Sequence, residues 1–133
     1  GLADHLAGEE ELKALITWPG VDQMTVISGG RSAVNSAELL GSVRMKALVQ
    51  ELKDRYEDRF VLFDTAPVLS GADAIALAAH VDCILMVVEE GKTALRDAKK
   101  ALAMLPQEKF LGFVLNRQEY QPPRQAEEGL SRS

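Results

Sequence analysis

Arg59-Phe60-Val61-Leu62-Phe63-Asp64-Thr65-Ala66-Pro67 is the stretch on which the reading of this chain turns. Four apolar residues run without a polar break and stop at a carboxylate. A short apolar run bounded by charges suits a strand buried on both faces of a parallel sheet. Pro67 has no N–H to give a ladder, so the strand ends before it. Open α/β sheets bind ligands at the carboxyl ends of their strands. Asp64 is therefore expected where a buried strand meets a crevice.

The chain downstream supports that frame. Cys83-Ile84-Leu85-Met86-Val87-Val88 and Phe110-Leu111-Gly112-Phe113-Val114-Leu115 are two further apolar runs of strand length. Between them, Thr93 is placed to cap a helix carrying Leu95, Ala98, Leu102 and Leu105 on one face, and Pro106 stops it. Before them, Ser70 and Asp73 suggest a capping box on an alanine-rich helix over 72–79. The order strand, helix, strand, helix, strand predicts βαβ units and a parallel sheet. Upstream, Met45, Leu48, Val49, Leu52 and Tyr56 recur at helical spacing behind Ser42, which predicts a capped amphipathic helix with one buried face. Met24-Thr25-Val26-Ile27 reads as a strand ended by Ser28-Gly29-Gly30, and Gly8 as the end of an opening helical turn.

Composition narrows the function classes. The chain has 133 residues, 47% hydrophobic and 26% charged, with a net charge of -5. That is one domain with a real core, and it disfavours a broad nucleic-acid footprint. No apolar run approaches the roughly 20 residues that cross a bilayer. Cys83 is the single cysteine, read as a small core residue in a reducing compartment. His5 and His80 stand alone, without metal-ligand spacing.

An apolar strand ending in aspartate is also the pattern of a Walker B element, whose carboxylate helps hold nucleotide-bound magnesium. Gly91-Lys92-Thr93 looks like the end of a phosphate-binding loop, but the pattern G-x-x-x-x-G-K-[ST] needs glycine at position 86, which is Met. Glu89 and Glu90 would repel a triphosphate there. Gly91 is read as a turn and Lys92 as a solvated lysine neutralised by those acids. No other G-K-[ST] occurs in the chain.

Several segments in one order carry a resemblance. They are Gly1 to Gly8, Met24 to Gly30, Ala37-Glu38-Leu39-Leu40-Gly41-Ser42-Val43-Arg44-Met45, Phe63 to Leu69, Asp73-Ala74, Val87 to Thr93 and Leu111 to Asn116. Together they resemble the cytoplasmic domain of bacterial tyrosine autokinases of exopolysaccharide biosynthesis, in the MinD/ParA-like branch of P-loop ATPases; the type linked to exosortase loci is the nearest match. The resemblance implies an α/β fold of three layers: a mostly parallel sheet with flanking helices, P-loop NTPase-like but truncated at the amino end, before which the Walker A loop would lie. Residues 1–117 would be the carboxyl-terminal part of a kinase domain, and 118–133 a disordered tail.

The resemblance also implies ATP and Mg as cofactors. Asp64 would be the catalytic Walker B residue, acting on magnesium directly or through water. Asn116 would hydrogen-bond the adenine edge, and Arg117 would pack on the ring. The implied partners are further copies of the chain, by self-association, and a membrane polysaccharide co-polymerase or activator subunit, with no nucleic acid. The implied location is cytoplasmic, held at the membrane through a partner or a missing segment. Departures from the family pattern are Ala66 in place of a frequent proline, the missing phosphate loop, and a tail with only Tyr120 where the family carries a tyrosine cluster. Arg44 is read as an exposed helix arginine and Asp73 as a helix cap. Rival readings are a MinD/ParA-like positioning ATPase and a binding module without catalysis. A sheet lacking its first strand is further expected to expose an apolar edge and self-associate.

Overall fold

A computed structural model describes residues 1–119. The tail expectation and Tyr120 lie outside the described residues, save for Gln118 and Glu119. The opening helix α1 (Leu2–Ala7) ends at Gly8, whose φ of 90° is the left-handed conformation that closes a helix. A single turn, α2 (Leu12–Leu15), leads into β1 (Ile16–Thr17), which pairs antiparallel with β2 (Val26–Ile27). The first amides of α1 find acceptors on the segment after β2: Leu2 N–H donates to Ser28 O at 2.8 Å and Ala3 N–H to Gly29 O at 3.2 Å. Gly1 and Gly30 meet so closely there that a Cβ on Gly1 would lie 2.2 Å from Gly30 Cα.

Helix α3 (Ser36–Leu40) precedes α4 (Val43–Arg55), the longest element. Ser42 caps α4 as its sequence predicts: Oγ accepts from Met45 N–H at 3.2 Å and donates to Leu39 O at 2.6 Å. The predicted stripe is the buried face. Met45 is 0% exposed, and Leu48, Val49 and Leu52 are buried with Leu6, Leu12 and Leu77 in the main core.

Helix α5 (Asp73–Ala78), β3 (Ile84–Glu89), α6 (Leu95–Ala103) and β4 (Phe110–Asn116) complete the described chain. β3 and β4 pair in parallel, from Ile84↔Phe110 to Glu89↔Asn116, with α6 as the crossover. A second core of Ala78, Met86, Ala101 and Leu105, with Val88 and Phe110 against it, fills the space between helices and sheet.

Four local readings change. Phe60–Phe63 forms no strand ladder: among the described residues its backbone groups make no hydrogen bond, Phe60 is 98% exposed and Leu62 89%. Only Phe63 reaches the main core. Cys83 is exposed rather than buried, because the strand starts one residue later. Thr93 does not cap α6, whose N-cap is Ala94; its Oγ1 accepts from Glu89 N–H at 2.9 Å and closes the turn at Gly91. The Ser70–Asp73 box does not form either. Ser70 Oγ donates to Pro67 O at 2.7 Å, while Asp73 accepts from Ser36 Oγ at 2.7 Å and so ties α5 to α3.

Candidate nucleotide site

Parallel pairing of β3 with β4 brings the carboxyl ends of both strands together, with Glu89 beside Asn116. Adjacent parallel strands that end in polar residues present those residues at the sheet's ligand-binding edge. Glu89 is the hub. Its carboxylate lies 3.5 Å from Lys92 Nζ and 3.4 Å from Arg117 Nη1, one cation from each strand end. Both cations are largely exposed, so each pair contributes at most about 1 kcal/mol. The Lys92 contact matches the neutralisation expected from sequence. The Arg117 contact was missed there, although parallel pairing of the two runs carries the signal.

Arg117 has φ of 55°, uncommon for a residue with a side chain. Its N–H donates to Asn116 Oδ1 at 3.0 Å, and Asn116 O accepts from Glu90 N–H at 3.1 Å. These bonds fix the turn leaving β4. They leave the Asn116 amide N–H groups and a remaining Oδ1 lone pair available, which is the donor–acceptor pair a base edge requires.

Asp64 lies in the irregular segment after Phe63. It is exposed and has no hydrogen-bond or ion-pair partner among the described residues. The structure therefore brings Asn116 and Arg117 together, and records no contact joining Asp64 to them. A free carboxylate fits magnesium, which is commonly held by one or two carboxylates with waters and phosphates. No cluster of three or more acidic, histidine or cysteine side chains forms a metal cage among the described residues. Surface depressions lie elsewhere, along α4 beside Gln50 and Arg55, and near Arg44 and Glu9–Glu11; neither is lined by Asp64, Asn116 or Arg117. No helix of the described residues is long and apolar enough to cross a membrane.

Comparison with known proteins gives these strand ends a context. The chain is 31% identical over 118 residues to the tyrosine-protein kinase ptk of Acinetobacter johnsonii, covering 87% of this chain and 16% of that protein. It is 33% identical over 118 residues to the tyrosine-protein kinase YwqD of Bacillus subtilis, covering 87% and 49%. Its relatives are bacterial tyrosine-protein kinases. The chain spans about half or less of the length of these two relatives. Solved structures agree. The kinase domain of VpsO superposes with a TM-score of 0.78 at 26% identity, covering 90% of this chain and 59% of that one. The kinase domain of the Escherichia coli tyrosine kinase ETK superposes at 0.74 and 29%, covering 92% and 49%. No family model matches the sequence. The α/β fold expected from the apolar runs is thus the fold of tyrosine kinase domains.

Proposed function

We propose that this chain is the carboxyl-proximal part, residues 1–117, of an ATP-dependent protein-tyrosine autokinase that regulates exopolysaccharide synthesis and export. The carrying observation is the likeness to tyrosine-protein kinases over most of the chain, in sequence and in fold. Asp64 would hold magnesium, directly or through water. Asn116 would read the adenine edge and Arg117 would lie on the ring, held in place by Glu89. Magnesium supplies charge neutralisation at the transferring phosphoryl group. The residues of this chain act by binding and orientation, since phosphoryl transfer rests on positioning and electrostatics. The phosphate-cradling loop pattern is not among these 133 residues, so transfer requires polypeptide beyond them.

The acceptors would be tyrosines of a neighbouring copy, and the natural setting the cytoplasmic face of a membrane, beside a polysaccharide co-polymerase or activator subunit. Added phosphate charge would then shift the balance between assembled and free copies. The test is ATP-dependent phosphotyrosine on the natural full-length polypeptide. Asp64→Asn is expected to lower it by roughly 10–100-fold or more, the range seen when metal-site partners are removed. Unchanged phosphotyrosine would remove Asp64 from the site.

A further inference from the structure

Where β3 and β4 end, the two register partners differ in what they offer a ligand. Glu89 and Asn116 stand opposite one another in the parallel pair, so their side chains share one face of the sheet, on strands about 4.8 Å apart. By strand alternation it is the face turned away from Met86 and Val88, which pack in the second core. One Oδ1 lone pair of Asn116 is engaged by the Arg117 N–H at 3.0 Å. The amide N–H groups are then its freest polar atoms, and Asn116 meets a ligand chiefly as a donor. The acceptor beside it is the Glu89 carboxylate.

Glu89 is fixed through its backbone and its side chain. Its N–H donates to Thr93 Oγ1 at 2.9 Å, and its carbonyl accepts from the Lys92 and Thr93 N–H groups at 3.3 and 3.0 Å. One carboxylate oxygen, Oε2, faces Lys92 Nζ at 3.5 Å, and the other, Oε1, faces Arg117 Nη1 at 3.4 Å. The side chain is 29% exposed, so it is held in place and still open to a ligand. A carboxylate has about four acceptor sites on its two oxygens, so capacity for a further N–H donor remains.

We propose that Glu89 makes this site select adenine over guanine: its carboxylate accepts from the exocyclic N6 amine while Asn116 donates to the neighbouring ring nitrogen. The inference rests on the reading of Asn116 as the residue at the base edge, and adds the residue that tells one purine from the other. Adenine presents an amine donor beside a ring-nitrogen acceptor, whereas guanine presents two acceptors, N7 and O6, on the same edge. A carboxylate opposite O6 has no proton to give and is repelled. The other edge of guanine carries paired donors, N1–H and the N2 amine, which a carboxylate clasps with both oxygens at once. Here the two oxygens are turned to different cations, one each, and that clasp would have to displace both. A single amine donor needs only one free lone pair. A well-made pair of contacts to a base edge discriminates by roughly 5–150-fold.

The experiment is displacement of a ribose-labelled fluorescent ATP from the natural full-length polypeptide, with magnesium present. The competitors are ATP, GTP, inosine triphosphate and purine riboside triphosphate, which lacks the amine. ATP is expected to bind about tenfold or more tighter than the other three. Glu89→Gln, whose amide can turn to donate to O6, is expected to cut the preference over GTP and inosine triphosphate about fivefold or more. Disturbed packing alone would weaken all four nucleotides together and leave their ratios unchanged. Two results would overturn the proposal: ratios unchanged in Glu89→Gln, or GTP binding far tighter than inosine triphosphate, the mark of a clasp on N1 and N2. Asn116→Ala separates the proposal from the reading beneath it. Unchanged ATP affinity there would take the base edge away from this strand end, and Glu89 with it. Weakened ATP binding in Asn116→Ala beside unchanged ratios in Glu89→Gln would remove Glu89 alone.

Discussion

Leucine-to-alanine substitution at two positions separates the local structure of this chain from the one its sequence suggests. Leu62 sits in the most apolar run, yet is 89% exposed; Leu48 sits on the inner face of α4 and is 3% exposed. Full burial of a leucine side chain stabilises by about 1.5–3 kcal/mol, so a side chain with a tenth of its surface covered contributes about 0.2–0.3 kcal/mol. Leu62→Ala should cost no more than that in the isolated chain. Leu48→Ala removes the same atoms from a packed cluster with Met45, Leu52 and Leu77. There a transfer loss and a cavity add up, to about 3–5 kcal/mol. Urea unfolding by circular dichroism, at micromolar protein, reads the difference. With a slope of about 1.5 kcal/mol per molar urea, the midpoint should fall by about 2 M or more for Leu48→Ala and about 0.2 M for Leu62→Ala. A loss above about 1.5 kcal/mol at Leu62 would mean that the run is buried in solution, and would refute its exposure.

Other expectations are smaller in scale. Ser42→Ala should cost about 1 kcal/mol by stripping the α4 cap, lowering Tm by about 3–6 °C, with Ser42→Thr nearly neutral; equal losses for both would discredit the cap. In a 133-residue polypeptide prepared to begin at Gly1, Asp4 is held below its ordinary carboxyl value of 3.8, first by a hydrogen bond from the Gly1 ammonium, then by the charge of that group and of Arg31. A lowered folded-state value stabilises at pH above 3.8, and the contribution fades as pH falls below it through the folded-state value. Acetylating the Gly1 nitrogen should return the Asp4 carboxyl toward 3.8 in an NMR titration, and an unchanged midpoint would count against that ion pair.

Periodicity made α4 and the β3–α6–β4 unit readable, because each closes its contacts within one helix face or one strand pair. The cap at Ser42 was equally plain, a local bond between neighbours in sequence. The run at 60–63 misled for the same reason: apolar strands are recognised by what they need, and the described residues do not supply the neighbour this one needs. β1 escaped notice because two residues, Ile16 and Thr17, carry no period of their own and are strand only through β2. The position of Asn116 and Arg117 at the end of β4 was legible from the apolar run, while the Glu89–Arg117 link, 28 residues apart in sequence, needed the register of the parallel pair. Asp73 was misassigned since its partner, Ser36, is 37 residues away and no local pattern announces it.

The meeting of Gly1 with Gly30 bears on how this sequence can vary. A Cβ on Gly30 would in turn lie 2.9 Å from Gly1 Cα, and Gly30 also holds φ of 84°. Neither position can gain a side chain unless two backbones part, and parting them pulls the first amides of α1 from the carbonyls of Ser28 and Gly29. In a saturation library the two sites should behave as one: each blank alone, and no double substitution restoring what either single one removes. Drift along this lineage would then leave a pair of silent columns at the seam, while the surface a few residues away changes freely.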